Sequence, residues 1–359
     1  MLTLSAGCAS LPPPVMNQSL VKAAKPITVS ADGTRASTTF DVLTFNVEGL
    51  GWPARRNRGP SLERISMVLR GMAAKGEAPD IVMVQEMFSQ TAIRAITNLE
   101  YPNMVSGPSR TQRKQLAGAG RMPKPYKWKK GELGLHFAGS GLAILSAFPI
   151  VETRSDPLGR RRCAGFDCLS NKGMLYAKIA IPGVPGAINL FNTHLNSQGA
   201  SRVSPQRHGR AHRLQVEELG NFVSAVGSPD IPTVLGGDFN MKGSAIRFER
   251  FRNVTEPFEI VHEWCTDQPL LCDTRISWDG DEPWMDTQDL QLFESGSRVR
   301  IIPIRVEALF DGSAGSPRLS DHDGFRVTYR VSWQTRAGRP APANPNVRVD
   351  RRPVVGLHG

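Results

Sequence analysis

Blocks of apolar and polar residues alternate along the chain in a pattern that predicts a mixed α/β protein. "PDIVMVQEMF" is a continuous apolar run of strand length, which is typical of a strand buried on both faces. "GLAILSAFPI", "GMLYAKIAI", "AINLFNTHL" and "IPTVLGGDFN" repeat this type. "TFDVLTFNVEGL" predicts a strand that ends in a polar turn, and "VRIIPIRVEALF" and "GFRVTYRVSW" show the β-branched alternation of strands.

Two segments have helical periodicity instead. "SLERISMVLRGMAAKG" places Ile65, Val68, Leu69 and Met72 on one face and predicts a helix that stops at Gly76. "QRHGRAHRLQVEELGNFVSAVG" predicts a second long helix between two strands. The mixed pattern contains no internal repeat of roughly 20–50 residues. We therefore expect one α/β domain over residues 40–333.

Charge is concentrated in two segments of a chain whose net charge is +11. Residues 108–130 carry eight Lys/Arg and no acidic residue, and residues 334–359 carry five Lys/Arg and one acidic residue. The remainder holds 31 basic and 32 acidic side chains, so it is nearly neutral. Apolar residues make up 40% of the chain without a continuous run near the length of about 18 that a membrane span needs, which predicts a soluble globular body.

The two basic segments differ in character. The tail, 334–359, is rich in Pro and Arg and has no periodicity, so we expect it to be disordered. The loop, 108–130, combines its charge with Tyr126 and Trp128. It is either a solvated surface loop or a contact with a phosphate-rich surface, which is provided by lipid headgroups or by nucleic acid.

The N-terminal segment, 1–39, resembles the end of a bacterial lipoprotein signal, with small residues before Cys8 and a Pro-rich linker after it. Only seven residues precede Cys8 and none of them is basic. Either the true start lies upstream and Cys8 carries a lipid, or the likeness is accidental. The first alternative predicts an exported protein of the bacterial cell envelope, or otherwise of the periplasm or the medium.

Four further cysteines form two close pairs along the chain, Cys163 with Cys168 and Cys265 with Cys272. In an exported protein this spacing suggests two local disulfides, although four cysteines allow three connectivities. A zinc site is the competing interpretation. Neither pair has the two-residue gap of a zinc knuckle.

Polar side chains follow the apolar strands at the points where those strands end. They are Asn46, Glu86, His194, Asp238 and Asn240, with Asp321 and His322 directly before the last strand. One polar residue after a strand is usually a turn residue. Because ligands of α/β proteins gather at strand ends, so many together predict a binding or catalytic site.

The chemistry of these side chains favours a hard divalent cation. Carboxylate and amide oxygens suit Mg²⁺, or Mn²⁺ in its place, whereas zinc would favour thiolates or a dense histidine cluster. A divalent ion with two histidines and two amide donors makes a site for phosphate-ester hydrolysis.

In this order, "TFNVEG", "VQEMF", "GLAILSAFPI", "NTHL", "GGDFN" and "LSDH" closely resemble the endonuclease/exonuclease/phosphatase superfamily. The resemblance runs from about residue 40 to 331. It implies a DNase I-like four-layer α/β sandwich, in which two packed mixed β-sheets are flanked by helices. Members of this superfamily act on different phosphate esters, so the fold alone does not select a substrate.

Position by position, the resemblance also implies roles. Glu86 matches the principal Mg²⁺ ligand, with Asn46 beside it and Asp321 as an accessory residue of the metal site. Asp238 and Asn240 match residues that orient the attacking water and bind the phosphate.

The remaining roles fall to the two histidines and one aspartate. His194 matches the phosphate-contacting histidine of the hydrolytic members, and His322 matches the general base. Asp289 of "DLQLF" matches the aspartate that orients the base, with Leu290 where the family has an aromatic residue.

Two segments resemble the neutral and bacterial sphingomyelinases in particular. "DCLSNKGMLYAKI" has an aspartate, Asp167, five residues before the Lys172-Gly pair and a strand, and "ISWDG" (276–280) resembles their Thr/Ser-Trp-Asp segment. In that subgroup the lysine reaches the active-site phosphate, and the aspartate pairs with the lysine to switch the loop. The alternative is a surface Asp–Lys pair worth less than about 1 kcal/mol. A Cys163–Cys168 bridge would enclose Asp167.

These observations favour a Mg²⁺-dependent phosphodiesterase of the sphingomyelinase C type, acting as a monomer on a phospholipid surface without an obligate protein partner. An exported DNase I-like endonuclease is the main alternative, since the basic loop could follow a nucleic-acid backbone. A non-catalytic binding module on the same scaffold is disfavoured, because degenerate members would be expected to lose some of these site residues.

Overall fold

Two mixed β-sheets pack face to face in the computed structural model, which describes residues 12–17, 25–51, 54–118, 120–276 and 283–335. In chain order the strands are β1 Val15–Met16, β2 Thr28–Val29, β3 Arg35–Asn46, β4 Ile81–Gln85, β5 Asn103–Ser106, β6 Ala143–Ser146, β7 Ile150–Pro157, β8 Gly173–Ile179, β9 Ile188–His194, β10 Thr233–Asp238, β11 Glu259–Ile260, β12 Asp273–Arg275, β13 Asp289–Glu294, β14 Val299–Leu309 and β15 Gly324–Gln334. The helices are α1 Gly59–Ala74, α2 Gln90–Thr97, α3 Pro205–Val226, α4 Ala245–Thr255 and α5 Val261–Asp267.

The larger sheet has the strand order β1-β5-β6-β4-β3-β15-β14-β12, with β2 also paired to β3. The smaller sheet has the order β11-β13-β10-β9-β8-β7. In the larger sheet β3 runs parallel to β4, and in the smaller sheet β9 runs parallel to β10. Their antiparallel neighbours β15 and β13 therefore begin at the edge where these parallel strands end.

The inner faces of the two sheets share one apolar core, and polar side chains within it fix their relative position. The Gln85 amide donates to Asn192 Oδ1 at 2.7 Å, and Asn192 Nδ2 donates to the Val84 carbonyl at 3.0 Å. Gln291 Nε2 donates to the Val42 carbonyl at 3.0 Å. These buried bonds cross between the sheets, and a slip of one sheet against the other would leave several polar groups without partners.

Helices cover the outer faces, which confirms the predicted four-layer arrangement. Helices α1 and α2 pack on the larger sheet, and α3 and α4 pack on the smaller one. As predicted, α1 buries Ile65 and Leu69 and ends just before Gly76. Gly76 has a φ of 74°, a left-handed conformation that glycine adopts at little cost because it has no Cβ. Among the described residues, no helix has both the length and the apolar composition that crossing a bilayer requires.

Both cysteine pairs are joined locally, by the disulfides Cys163–Cys168 and Cys265–Cys272. These four thiols are therefore not zinc ligands. The predicted lipoprotein-like Cys8, positions 277–280 of "ISWDG", and the tail from residue 336 onward lie outside the described residues.

Two buried histidines make the stability of this fold depend on pH. Burial, together with Arg247, lowers the pKa of His212 to about 3, and burial lowers the pKa of His262 to about 3 as well. Unfolded histidine has a pKa of 6.5, so below this pH the unfolded chain binds protons that the folded chain excludes. Stability is therefore present above pH 6.5 and is lost as the pH falls toward 3.

We expect the free energy of unfolding to fall by at most about 1.4 kcal/mol per pH unit for each histidine over this window. The His212→Gln variant keeps a donor for the Phe239 carbonyl, which His212 Nε2 contacts at 2.9 Å, and removes the titration. Urea unfolding between pH 4 and pH 7 should give a shallower dependence for this variant, and parallel curves for variant and wild type would contradict the assignment.

Candidate active site

Six strand-end side chains from both sheets converge at one edge of the sandwich. The larger sheet contributes Asn46 at the end of β3, Glu86 after β4 and His322 before β15, and the smaller sheet contributes His194 at the end of β9, Asp238 at the end of β10 and Asp289 at the start of β13. In the smaller sheet Asp238 lies opposite both His194 and Asp289 in the strand register. The topology therefore brings together residues that are far apart in the sequence.

Glu86, His194 and Asp238 form the first of two overlapping groups. One side-chain oxygen or ring nitrogen from each lies within 4.8 Å of the others, and His194 Nε2 lies 3.2 Å from Asp238 Oδ2. Burial raises the pKa of Glu86 to about 7, although Lys172 opposes the shift. Burial also raises the pKa of Asp238 to about 6. Burial thus disfavours ionisation of both carboxyl groups, and a positive charge placed between them would favour their ionised forms.

Asp238, Asp289 and His322 form the second group. His322 Nδ1 lies 2.6 Å from Asp289 Oδ2, while Nε2 lies 3.9 Å from Asp238 Oδ2. Burial disfavours the charged imidazole, but the carboxylates of Asp289 and Asp238 outweigh it and raise the pKa of His322 to about 11. The carboxylate thus fixes the ring orientation and leaves Nε2 directed into the site, which is the arrangement of a general base and its orienting acid.

Asn46 links the two groups. Its Nδ2 donates to Asp238 Oδ2 at 2.9 Å and lies 3.4 Å from His322 Nε2, and its Oδ1 accepts from the backbone of Glu48 at 3.0 Å. With both ends of the amide engaged, the orientation of Asn46 is defined by its contacts. The amide thus contacts a member of the metal-capable group and His322 together.

The backbone around the site adopts left-handed conformations at non-glycine residues. Glu86, Asn240 and Glu48 have φ values of 60°, 53° and 49°. Such conformations are uncommon and cluster at functional sites. Gly49 is required for a related reason, since a Cβ there would lie 2.3 Å from the Glu86 carbonyl oxygen. The glycine therefore allows the Glu86 turn to form.

Lys172 and Asp167 lie at the side of the site and contact each other. The buried Lys172 ammonium donates to Asp167 Oδ1 and to the Leu195 carbonyl at 2.9 Å, and it lies 2.9 Å from His194 Nε2. Burial, Lys172 and His322 hold the pKa of His194 well below its usual range, so this imidazole is neutral. Because Lys172 and Asp167 are each about 6% exposed, their pair is not the surface pair that was the alternative.

Three residues near this pair were not found from the sequence. Ser197 Oγ donates to Asp167 Oδ2, and Asn196 Nδ2 lies 3.4 Å from the same oxygen. Arg247 Nη1 donates to the carbonyls of Asn196 and Asn240 at 2.8 Å each. The "NTHLNS" continuation after β9 was the available signal for two of them, whereas Arg247 lies in α4 and reaches the site through the carbonyls of Asn196 and Asn240.

Asn240 and Asp321 have different positions relative to this site. Asn240 follows β10, its backbone N–H donates to Asp238 Oδ1 at 3.0 Å, and its side chain donates to the Leu195 carbonyl at 3.1 Å. Asp321 is 47% exposed and accepts from Arg55 Nη2 at 2.7 Å, with its other oxygen 3.8 Å from His322 Nε2. Asp321 is therefore not brought into the Glu86 group.

The donor set fits a hard divalent cation. Glu86 and Asp238 offer carboxylate oxygens close together, and the buried Asp289 Oδ1 has no hydrogen-bond partner among the described residues. Three carboxylates grouped with amide and imidazole side chains, and without a thiolate, suit a Mg²⁺ or Mn²⁺ site that keeps several waters. Glu86 and Asp238 are the residues that would hold it.

The fold and this site together define the class of protein. The chain belongs to the endonuclease/exonuclease/phosphatase family, whose sequence model matches residues 43–351.

Within this family, the chain is similar in sequence to two kinds of phospholipid-cleaving enzyme by name. The chain is 31% identical over 224 residues to sphingomyelinase C from Bacillus cereus, covering 59% of this chain and 60% of that protein. It is 27% identical over 237 residues to phospholipase C from Staphylococcus aureus, covering 65% and 66% of the two chains. The alignment thus spans about 60% of the length of the Bacillus relative.

Solved structures show the same fold. A beta toxin mutant from Staphylococcus aureus with bound magnesium ions superposes with a TM-score of 0.57 at 19% identity, covering 81% of this chain and 99% of that one. Sphingomyelinase C from Streptomyces griseocarneus superposes with a TM-score of 0.53 at 17% identity, covering 81% and 99%. Both confirm the DNase I-like arrangement of two sheets flanked by helices.

Proposed function

We propose that this protein is a Mg²⁺-dependent phosphodiesterase that releases the headgroup of a phospholipid, in the manner of a sphingomyelinase C. The observation that carries the proposal is the buried Lys172 ammonium, which lies against His194 inside a site that also holds an oriented histidine base and a metal-capable carboxylate pair. The sphingomyelinase C and phospholipase C relatives support the choice of a phospholipid.

Attack by water on phosphorus would begin at His322. Asp289 holds Nδ1, so Nε2 can accept the proton of a water placed between it and the phosphate. When bound, a divalent cation would polarise a phosphoryl oxygen, and its charge would offset the carboxylates that raise the pKa of His322. The proton taken by His322 is then stabilised as imidazolium by Asp289 and Asp238. As the water oxygen bonds to phosphorus, the bond from phosphorus to the lipid oxygen would break, and the lipid would leave as an alcohol after its oxygen takes up a proton from solvent.

Three groups on the smaller-sheet side would bind the phosphate. Lys172 supplies a positive charge that is already desolvated, and the neutral His194 and the Asn240 amide supply hydrogen bonds. Charge that develops on the phosphoryl oxygens in the transition state is stabilised most by groups fixed beforehand in a site from which water is excluded. Asp167, Ser197 and the Leu195 carbonyl hold the ammonium in place.

Replacing Lys172 tests the proposal. We expect Lys172→Ala to lower phosphocholine release from sphingomyelin vesicles in Mg²⁺ by about a hundredfold, because a fixed charge at the transition state is lost. Lys178→Ala is the matched control, since Lys178 lies on the adjoining β8 and contacts the surface residue Glu152 at 2.8 Å. No release by the wild type, or equal activity of the two variants, would contradict the proposal.

A nuclease is the second candidate, and the eight basic residues of 108–130 are the observation that favours it. A panel of sphingomyelin, phosphatidylcholine, a phosphoinositide and plasmid DNA separates the two functions. DNA nicking that His322→Ala abolishes, without release of any lipid headgroup, would identify the nuclease.

The proposal extends to location and assembly. Two disulfides are consistent with an oxidising compartment, which supports export. We propose that the enzyme acts as a monomer outside the cytoplasm, held at the envelope if Cys8 is lipidated, and that Mg²⁺ rather than Mn²⁺ is its ion.

A further inference from the structure

A cluster of large apolar side chains is exposed beside the Asp167 turn. We call it the docking face, and it consists of Trp128, Leu133, Leu135, Phe137 and Phe166, which are 63%, 46%, 60%, 63% and 37% exposed. Single exposed apolar residues are ordinary on protein surfaces, but a concentration within one loop and one turn marks an interaction site.

Cations lie among these apolar side chains. Lys129 Nζ is 5.3 Å from the ring centre of Trp128, and Lys130 Nζ and the Arg202 guanidinium are 5.9 and 6.0 Å from that of Phe166. From residue 108 to 137 the only acidic residue is Glu132, and it accepts from Arg207 and from the backbone of Lys127 and Gly165. The docking face is therefore apolar and positive, without a free negative charge from this segment.

An arginine-lined surface adjoins the docking face. Leu133 and the side chains of Arg160 and Arg161 line one small cavity together. The same two arginines line a neighbouring surface cavity of about 460 Å³ with Arg113 and Arg121, and none of the described residues that line it is acidic. This second cavity offers guanidinium groups to phosphate, which they bind in a bidentate manner.

The docking face is built onto the turn that carries Asp167. Phe166 directly precedes Asp167, and the backbone N–H of Phe137 donates to the Leu169 carbonyl at 2.7 Å. His136 Nδ1 contacts the Cys168 carbonyl at 3.1 Å, next to the Cys163–Cys168 disulfide. Contact at the docking face would consequently occur beside the Asp167–Lys172 pair of the site.

We propose that the docking face inserts into the surface of a phospholipid bilayer that contains anionic lipids, while the adjoining arginines bind lipid phosphates. The link between docking and lipid hydrolysis rests on the proposed function, whereas binding of the docking face to a bilayer does not. Amphipathic aromatic and aliphatic side chains with Lys and Arg at their border are the composition of interfacial membrane contacts. Nucleic acid would use the aromatic rings and the cations, but it offers no apolar interior for the exposed Leu133 and Leu135.

Vesicle binding tests this proposal without turnover. The probes are vesicles of phosphatidylcholine with phosphatidylglycerol, and of phosphatidylcholine alone, in the presence of EDTA. We expect the double variant Leu135→Ser/Phe137→Ser to co-sediment with the mixed vesicles at least about tenfold more weakly than the wild type, because two inserted apolar side chains are removed. Leu270→Ser is the matched control: Leu270 is 98% exposed and precedes β12, at the opposite edge of the larger sheet from β5 and β6, which flank the basic loop.

A second pair of measurements examines the arginines and the depth of insertion. Arg113→Gln/Arg121→Gln should reduce the preference for mixed vesicles over phosphatidylcholine alone without abolishing binding. Brominated lipid should quench the fluorescence of the wild type more than that of Trp128→Phe, which keeps an apolar ring and should still bind.

The outcomes separate this proposal from the proposed function. Wild-type binding that the docking-face variant loses and the Leu270 control keeps supports docking even if no lipid is hydrolysed. Hydrolysis of the soluble diester bis(p-nitrophenyl) phosphate, or thermal unfolding if the wild type does not hydrolyse it, checks that the variant is folded. Equal vesicle affinity of variant and wild type overturns the proposal, as does an equal loss in the control. If the docking-face variant lost binding to duplex DNA but kept binding to vesicles, the face would be assigned to nucleic acid and the proposal would be overturned as well.

Discussion

The His322→Ala variant is expected to turn over a phosphodiester about a thousandfold more slowly than the wild type, because proton removal from the attacking water loses its base. Asp289 orients His322 through Nδ1 from 2.6 Å and leaves Nε2 facing the site, whereas His194 places its Nε2 between Lys172 and Asp238. Steady-state kinetics on sphingomyelin vesicles measure the loss. His208→Ala is the control, since His208 contacts Arg247 instead of the carboxylates.

The pH dependence of the Asp289→Asn variant distinguishes a base from a merely structural histidine. Burial opposes the imidazolium, and the Asp289 carboxylate is the largest of the groups that raise the pKa of His322. Without this charge His322 loses its proton at lower pH, so the acidic limb of kcat/KM should move to lower pH while the maximum falls. An unchanged acidic limb in Asp289→Asn, or substantial activity in His322→Ala, would show that another group accepts the proton.

Replacing Glu86 with glutamine is expected to have the second-largest effect, a loss of at least about a hundredfold in activity at moderate Mg²⁺. The change removes one of the two closely spaced carboxylates and leaves the side-chain shape nearly unchanged. Titration calorimetry with Mg²⁺ measures the accompanying loss of affinity, and Glu152→Gln on the surface of β7 is the control.

Thermal unfolding supplies a readout of the Glu86 variant that does not need turnover. Burial raises the folded-state pKa of Glu86 to about 7 from 4.5, so without metal the ionised carboxylate destabilises the fold progressively as pH rises from 4.5 through 7. At pH 8 in EDTA, Glu86→Gln should therefore unfold at a higher temperature than the wild type. Added Mg²⁺ should raise the unfolding temperature of the wild type more than that of the variant, and an equal rise in both would exclude Glu86 as a ligand.

The apolar runs predicted the central strands well because β4, β9 and β10 are buried on both faces. The same signal failed for β7, whose middle residues are exposed, and for the short α2, which depends on the Ser89 cap and on packing. The secondary structure of such segments depends on how they pack against elements that are distant in the sequence.

The strand-end rule located most of the site, because parallel strands leave polar residues at a common edge. It could not find Arg247, Gly49 or the left-handed turn at Glu86, because their roles arise from backbone contacts. Lys114 is a related case. It belongs to the basic loop but lies half-buried between Asp156 and Glu218, so the charge of the loop is partly neutralised from outside it.

The hydrogen bonds that cross between the two sheets also have a consequence for folding. Asn46 contacts Asp238 across 192 positions of sequence, and His322 contacts Asp289 across the same sheet interface. Neither sheet alone holds both His322 and Asp289, or both Glu86 and Asp238. Contacts between residues so far apart in the sequence are expected to form late, because a long loop must close before they can be made. We therefore expect hydrolytic activity to appear only after the two sheets have docked, because a form with one sheet assembled would lack one member of each pair.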